Sequence, residues 1–391
     1  MRWLRAHLLA VAAVALPLAG CGAEDRDERP GSAPHGHVEG AQETATEQPR
    51  LVVADKETGA VRVIDAGTGR VTELDVVPGG IARTLSDGRF AYLTGPQTTR
   101  VVDSGVWTVD HGDHGHHYSA DIREIGNLRH GAVSAVSGDT AVTALGIGDR
   151  TVLLDRAELV AGILAERQVI DGLAAPYAGQ LVVMGDSRGS PVVRSRDGPV
   201  ITTLPETCPA PRGHAVTRRG VVFGCADGAL VIACEGGSLT ATRIPFPHPV
   251  ADSERPTEFF FRPGGSTLVA SAGEHGVWTL DLRARAWTFT ETGPVAAANS
   301  AGPDAPLLVL GRDGVLRGFD LVTGAETARV QLFSQPLAEG AAPVIWIDAN
   351  RAYINDPAGK AVHELDYRDS LRRTRTFELD ITPDHLVETG R

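Results

Sequence analysis

From Arg50 onward the apolar positions fall in short runs that alternate with polar ones and are cut by Gly, Asp, Asn and Pro. That is the period-2 pattern of β-strands joined by tight turns, and it predicts an all-β fold. Leu51-Val-Val-Ala54, Gly59-Ala-Val-Arg-Val-Ile-Asp65 and Val71-Thr-Glu-Leu-Asp-Val76 read as one unit, with turns at Thr58-Gly59 and Gly67-Thr68-Gly69. Similar units follow, their second strands beginning near Phe90, Thr140, Leu181, Val221, Leu268, Leu307 and Ala352, with Asp-Gly turns at Asp87, Asp197, Asp227 and Asp313. A spacing of about forty residues holding four short strands is the period of a β-propeller blade.

The pattern gives eight four-stranded blades, with seven as the alternative. The first unit has no innermost strand ahead of Leu51, whereas the chain ends on a spare one, His385-Leu-Val-Glu-Thr-Gly390, which is expected to complete the first blade and close the ring. The third unit is irregular: Asp155-Arg-Ala-Glu158 has the form of a helix start, and Leu159, Val160, Ile163 and Leu164 follow at helical spacing.

Residues 1–49 are of a different kind. Met1-Arg-Trp-Leu-Arg5, an apolar run from Leu8 to Leu16, and Leu18-Ala-Gly-Cys21 have the layout of an export signal. The run is too short to stay in a bilayer. Leu-Ala-Gly-Cys resembles a bacterial lipobox, which implies cleavage after residue 20 and a lipid on Cys21. Residues 21–49 carry no aromatic side chain and are rich in acidic and small residues, so they are expected to be a disordered tether. Within it His35-Gly-His37 is a candidate weak metal-capturing arm. The propeller domain is then 50–391, and the protein is exported, either held at the outer face of the cell membrane or periplasmic.

Composition narrows the partners. Of 391 residues 42% are hydrophobic and 22% charged, enough for a large core. The formal charge is −12, and losing Arg2 and Arg5 with the leader takes it two units lower. A nucleic-acid partner, which needs a basic face, is excluded. If Cys21 is lipidated, Cys208, Cys225 and Cys234 remain. With a two-residue turn at Asp227-Gly228, Cys225 faces Leu230 and Cys234 faces Val221, roughly 13 Å apart along the hairpin, so Cys208–Cys225 is the expected disulfide.

The chemistry concentrates in His111-Gly-Asp-His-Gly-His-His117, with imidazoles at His111, His114, His116 and His117 and a carboxylate at Asp113. Imidazole and carboxylate suit zinc, and also copper and nickel, and tetrahedral zinc needs only three or four of them. His130, His214 and His385 each stand at or just before an innermost strand, which gives a candidate second site at the channel mouth. His275, in a hairpin sharing that face, is a further candidate. His248 and His363 read as structural. Gly185-Asp-Ser-Arg-Gly189 matches G-x-S-x-G but lies between two strands of a hairpin, not at a strand-to-helix elbow, so no hydrolase nucleophile is assigned. No catalytic residue is assigned, and the protein is expected not to be an enzyme.

Several stretches together resemble the AztD family of bacterial zinc metallochaperones: Gly105-Val-Trp-Thr-Val-Asp-His-Gly-Asp-His114, Cys208-Pro with Gly213-His214 and Gly224-Cys-Ala-Asp-Gly228, Ile354-Asn-Asp-Pro-Ala-Gly359 with His363-Glu-Leu-Asp-Tyr367, and Glu388-Thr-Gly-Arg391. The likeness spans Leu51 to Arg391. It implies about two zinc ions, a His-bearing flexible segment, and delivery of zinc to the solute-binding protein of a zinc ABC importer. By motif match the metal role falls most directly on His111, Asp113 and His114, then on His116, His117 and His214. The lipobox and the presence of only two tail histidines depart from the family pattern. The rival readings are a lipid-anchored interaction scaffold without metal and a metal-dependent propeller hydrolase.

Overall fold

The computed structural model describes Val38 and residues 40–111, 114–185 and 189–391. The leader, Cys21, His35 and His37, Asp113, and the centre of the Gly185–Gly189 motif lie outside the described residues. The chain is all-β apart from one short helix and one 3-10 turn among the described residues. Eight antiparallel sheets follow one another as the blades of a β-propeller, six of them built from consecutive strands of the chain, with a small ninth sheet set apart from them.

Blade 1 joins the two ends of the domain. Arg50–Ala54, Val61–Asp65 and Val71–Leu74 are completed by the last strand, His385–Thr389, which pairs antiparallel with Arg50–Ala54. The middle strands are buried on both faces, which is why they read as unbroken apolar runs. Val52, Val63 and Val387 pack with Ala91 and Leu93 of blade 2, while Leu51, Ile64 and Leu386 pack with Val362 and Phe377 of blade 8. Each such side chain contributes about 1.5–3 kcal/mol by leaving water, so blade-to-blade packing holds the disc together.

Second strands begin at Phe90, Val142, Gln180, Gly220, Thr267, Leu307 and Ala352, within a few residues of the expected positions. The irregular third blade contains the expected helix, Arg156–Val160, whose Glu158 N–H donates to the Asp155 side chain. Blade 6 is three-stranded, with only a Phe260–Val269 bridge where an innermost strand would lie.

Two features differ from the sequence expectation. Blade 2 interrupts its own strand order: Thr99–Asp103 pairs with Arg123–Leu128, and the residues between them leave the blade as a separate hairpin, Val106–Asp110 with Gly115–Ser119. The tether expected over 21–49 is also not all loose chain, because Gln42–Thr44 forms a strand on the free edge of that hairpin, opposite Ser119, Tyr118 and His117. An unpaired strand edge is a ready template for such pairing.

Candidate metal centre

The hairpin is fastened at its base. Gly105 opens it at φ +75, where a Cβ would stand 2.4 Å from the Ala120 carbonyl, so glycine is the residue that fits. Arg50 donates to the carbonyls of Ser104 and Ala120. Trp107 stacks on Tyr118 at 5.1 Å and lies under the Arg89 guanidinium, 3.7 Å away. Arg89 and Arg123 both bind Asp103. Burial alone would raise the Asp103 carboxyl, but these bonds outweigh it and hold the group below its usual range.

The strand period then sorts the histidines. Asp110 pairs with Gly115, and the His111 N–H donates to the His114 carbonyl, so His111 and His114 continue the ladder directly opposite each other. His114, His116 and Tyr118 alternate onto one face of the hairpin, with His111, Val109 and Trp107 opposite them. The rings of His111, His114 and His116 stand 5.0–5.2 Å apart by centroid, and one ligand atom from each lies within 4.8 Å of the others. Among the described residues this is the group of three or more ligating side chains that the fold brings together.

The expected participation of His117 is not found, because the same alternation turns it to the opposite face. There Thr108 Oγ1 donates to the Gly390 carbonyl at 2.8 Å and lies 3.0 Å from His117 Nδ1, which leaves His117 Nδ1–H as the donor in that contact. Beneath the hairpin lies a cavity of about 340 Å³, lined by His117 and Thr108 and also by His114 at the hairpin's end, Arg218, Asp348 and Arg391. Asp110 pairs with Arg218 of blade 5 across it.

A residue that sequence reasoning missed is Glu43. Its Oε1 lies 2.6 Å from His116 Nδ1, delivered by the short strand that pairs with the hairpin edge. A carboxylate on Nδ1 fixes the tautomer that leaves the Nε2 lone pair available to a metal and raises its basicity. Nothing in Gln-Glu-Thr within an acidic, small-residue stretch marks it, since its role depends entirely on the strand pairing.

The second histidine set does not assemble into a ligating group among the described residues. His214 is the third residue of the inner strand Arg212–Thr217, which ends beside Arg218, so about 13 Å of extended chain separates it from the hairpin's face. His385 likewise begins the strand that ends next to Gly390, at the opposite end from the hairpin. His275, in the turn after Thr267–Ser271, shares that end and contacts Glu254 at 3.0 Å. His130 contacts Glu166 at 3.0 Å, and His385 Nε2 reaches the Ile81 carbonyl at 3.0 Å. His214 stacks on Phe223, and burial pushes its imidazole down to about 4, so it is neutral at pH 7. His248 contacts the Pro249 carbonyl, and His363 is buried between Asp356 and Thr376.

Cys208 and Cys225 are joined by a disulfide with Cα atoms 5.0 Å apart, and Cys234 lies outside it. The hairpin register differs from expectation: Cys225 faces Gly228, so the turn is Ala226-Asp227. The two-residue slip preserves which side chains share a face, and the same pair remains in reach.

Among protein-family models and curated protein sequences, none matches the chain. Solved structures do. The apo structure of AztD from Citrobacter koseri superposes with a TM-score of 0.72 at 17% identity, covering 88% of this chain and 98% of that one. A second crystal structure of Citrobacter koseri AztD gives 0.71 at 18% identity with the same coverage. Dihydro-heme d1 dehydrogenase NirN in complex with DHE gives 0.57 at 16% identity, covering 87% of this chain and 75% of that one. At these identities the likeness is one of architecture, and the chain has an AztD-like β-propeller fold.

Proposed function

We propose that this protein is an extracytoplasmic zinc carrier that holds the ion on His111, His114 and His116 and delivers it to the solute-binding protein of a zinc ABC importer. The observation that carries this reading is the convergence of three imidazoles at the tip of a hairpin that stands outside the blades. Such a set costs a fold nothing to omit, and it has the ligand type and number of a zinc site with a position left open. His111 and His114 are exposed, which lets an incoming ligand replace them one at a time. The AztD-like fold and the family motifs support the same reading. On this reading the protein is a carrier rather than an enzyme, exported and anchored through Cys21.

The reading is tested by elemental analysis of the mature protein after dialysis, followed by stopped-flow transfer to an apo solute-binding protein. Stoichiometric zinc is expected, with transfer faster than loss to an inert chelator and saturating as acceptor rises. Absence of bound zinc would leave a propeller scaffold. Equal rates to acceptor and chelator would leave a zinc store.

A further inference from the structure

The hairpin's face of the disc carries a second depression, a groove of about 500 Å³ between blades 5 and 6. Arg218 and Arg219, from the first turn of blade 5, stand on one side of it, and Arg283 and Arg285, from the last turn of blade 6, on the other. All four are exposed. Among the described residues lining it the one acid is Glu235, 3.7 Å from Arg285. Arg219 and Arg283 have no carboxylate within ion-pair distance among the described residues, whereas most arginines elsewhere on the chain are paired. Four guanidiniums against two carboxylates, Glu235 in the groove and Asp110 at its edge, leave a local excess of positive charge on a chain whose formal charge is −12. Solubility is served by mixed signs and does not call for such a concentration.

Arg218 ties this groove to the metal centre. It lines both the groove and the cavity beneath the hairpin, and it pairs with Asp110, the residue directly before His111. We infer that the arginine groove docks an extended acidic segment of the protein that receives the metal, an inference that rests on the carrier function proposed above. Guanidinium is the cation suited to paired recognition of carboxylates, and opposite potentials speed encounter and fix orientation. An arriving carboxylate competes with Asp110 for Arg218. Exposed ion pairs are weak, so the exchange is nearly neutral, and it loosens the hairpin beside its first ligand. Docking and release of the ion are thereby coupled through one side chain.

The probe is a fluorescein-labelled peptide of alternating Glu and Ala, read by anisotropy at low salt against the mature protein. Binding is expected, lost as salt rises, and weakened about ten-fold or more by Arg219→Glu with Arg283→Glu. Arg219→Gln with Arg283→Gln, a milder pair, supplies the readout if charge reversal disturbs folding. Zinc content of both variants is expected to match wild type, because neither residue touches the histidines. Wild-type protein without zinc would therefore overturn the carrier function and not the groove. The docking inference is overturned by absent peptide binding, by equal binding of the variants or of a Lys-Ala peptide, or by variant-sensitive binding to phosphatidylglycerol vesicles with none to the peptide.

Discussion

The histidines of this protein fall into two populations that the same fold treats in opposite ways. Those on or next to blade strands, His130, His214, His363 and His385, are drawn into hydrogen bonds or dried by packing, each by itself. On the hairpin, His111, His114 and His116 are set against one another. The difference comes from what lies on each side of the strand. A blade strand has a neighbour sheet on both faces, so a polar side chain there must be satisfied locally. Among the described residues the hairpin strands contact chiefly each other and the short strand Gln42–Thr44, and they place cross-strand pairs at contact distance whatever they are. The convergent histidines thus stand on an insertion that left the blade architecture.

The strongest test of that division is removal of ligands from each population. His111→Ala with His114→Ala takes two of three convergent imidazoles and is expected to abolish bound zinc at the hairpin, measured by elemental analysis after dialysis. His214→Ala is expected to leave that zinc in place. Zinc retained in the first variant and lost in the second would place the ion in the channel instead.

A second comparison sets blade stability against hairpin chemistry. The Cys208–Cys225 bridge spans 17 residues, and a loop of that length is worth about 3 kcal/mol in the chain-entropy account. Cys208→Ser with Cys225→Ser should lower unfolding free energy by about that amount in a denaturant titration, while zinc stoichiometry at pH 7 is unchanged. Cys234→Ser should change neither quantity.

How much of this was legible beforehand depends on whether the signal is local. Blade number, second-strand positions and the role of the last strand follow from period and apolar runs, which report burial directly. The His111–His117 cluster was visible as composition. Its division was also within reach: once Gly115–Ser119 is a strand, His117 must leave the face of His116. What could not be read is a distant contact that the blade repeat does not itself dictate. Glu43 meets His116 only because the segment before Arg50 adds to the hairpin edge. The channel-mouth site failed for a related reason, since standing at the start of inner strands fixes an end of the disc but not the direction of each ring.

The pH response separates the populations next. Burial holds the His214 imidazole near 4, against its ordinary value of 6.5. A lowered histidine value means the unfolded chain takes up the proton first. Its contribution is full above 6.5 and is lost as pH falls from 6.5 toward 4, by about 3 kcal/mol in all. Glu388 works in the other direction: burial, partly offset by Arg391, pushes its carboxyl up to about 7 from 4.5, so stability is lost as pH rises through that interval. The difference between wild type and His214→Gln cancels the Glu388 contribution. Unfolding free energies measured at several pH values should show the advantage of the variant growing as pH falls, and a flat difference would mean that His214 is hydrated in the native state.

The smallest expected effect is the most informative about how the hairpin is tuned. Glu43→Gln keeps size and one acceptor but removes the charge next to His116 Nδ1. The amide can also present its NH₂ group, which favours the tautomer whose proton sits on Nε2 and so blocks that nitrogen from a metal. Loss of a carboxylate behind a ligating imidazole typically weakens metal affinity 10- to 100-fold. Competition with a chromophoric chelator should therefore show a zinc affinity lower by that factor, and Glu43→Asp should recover part of it. The cobalt-substituted protein gives a reading that stability cannot mimic, because its visible bands report ligand field. A changed spectrum with an unchanged melting temperature would show that Glu43 acts on His116. An unchanged spectrum and unchanged affinity would mean that the strand at Gln42–Thr44 covers the hairpin edge without touching its chemistry.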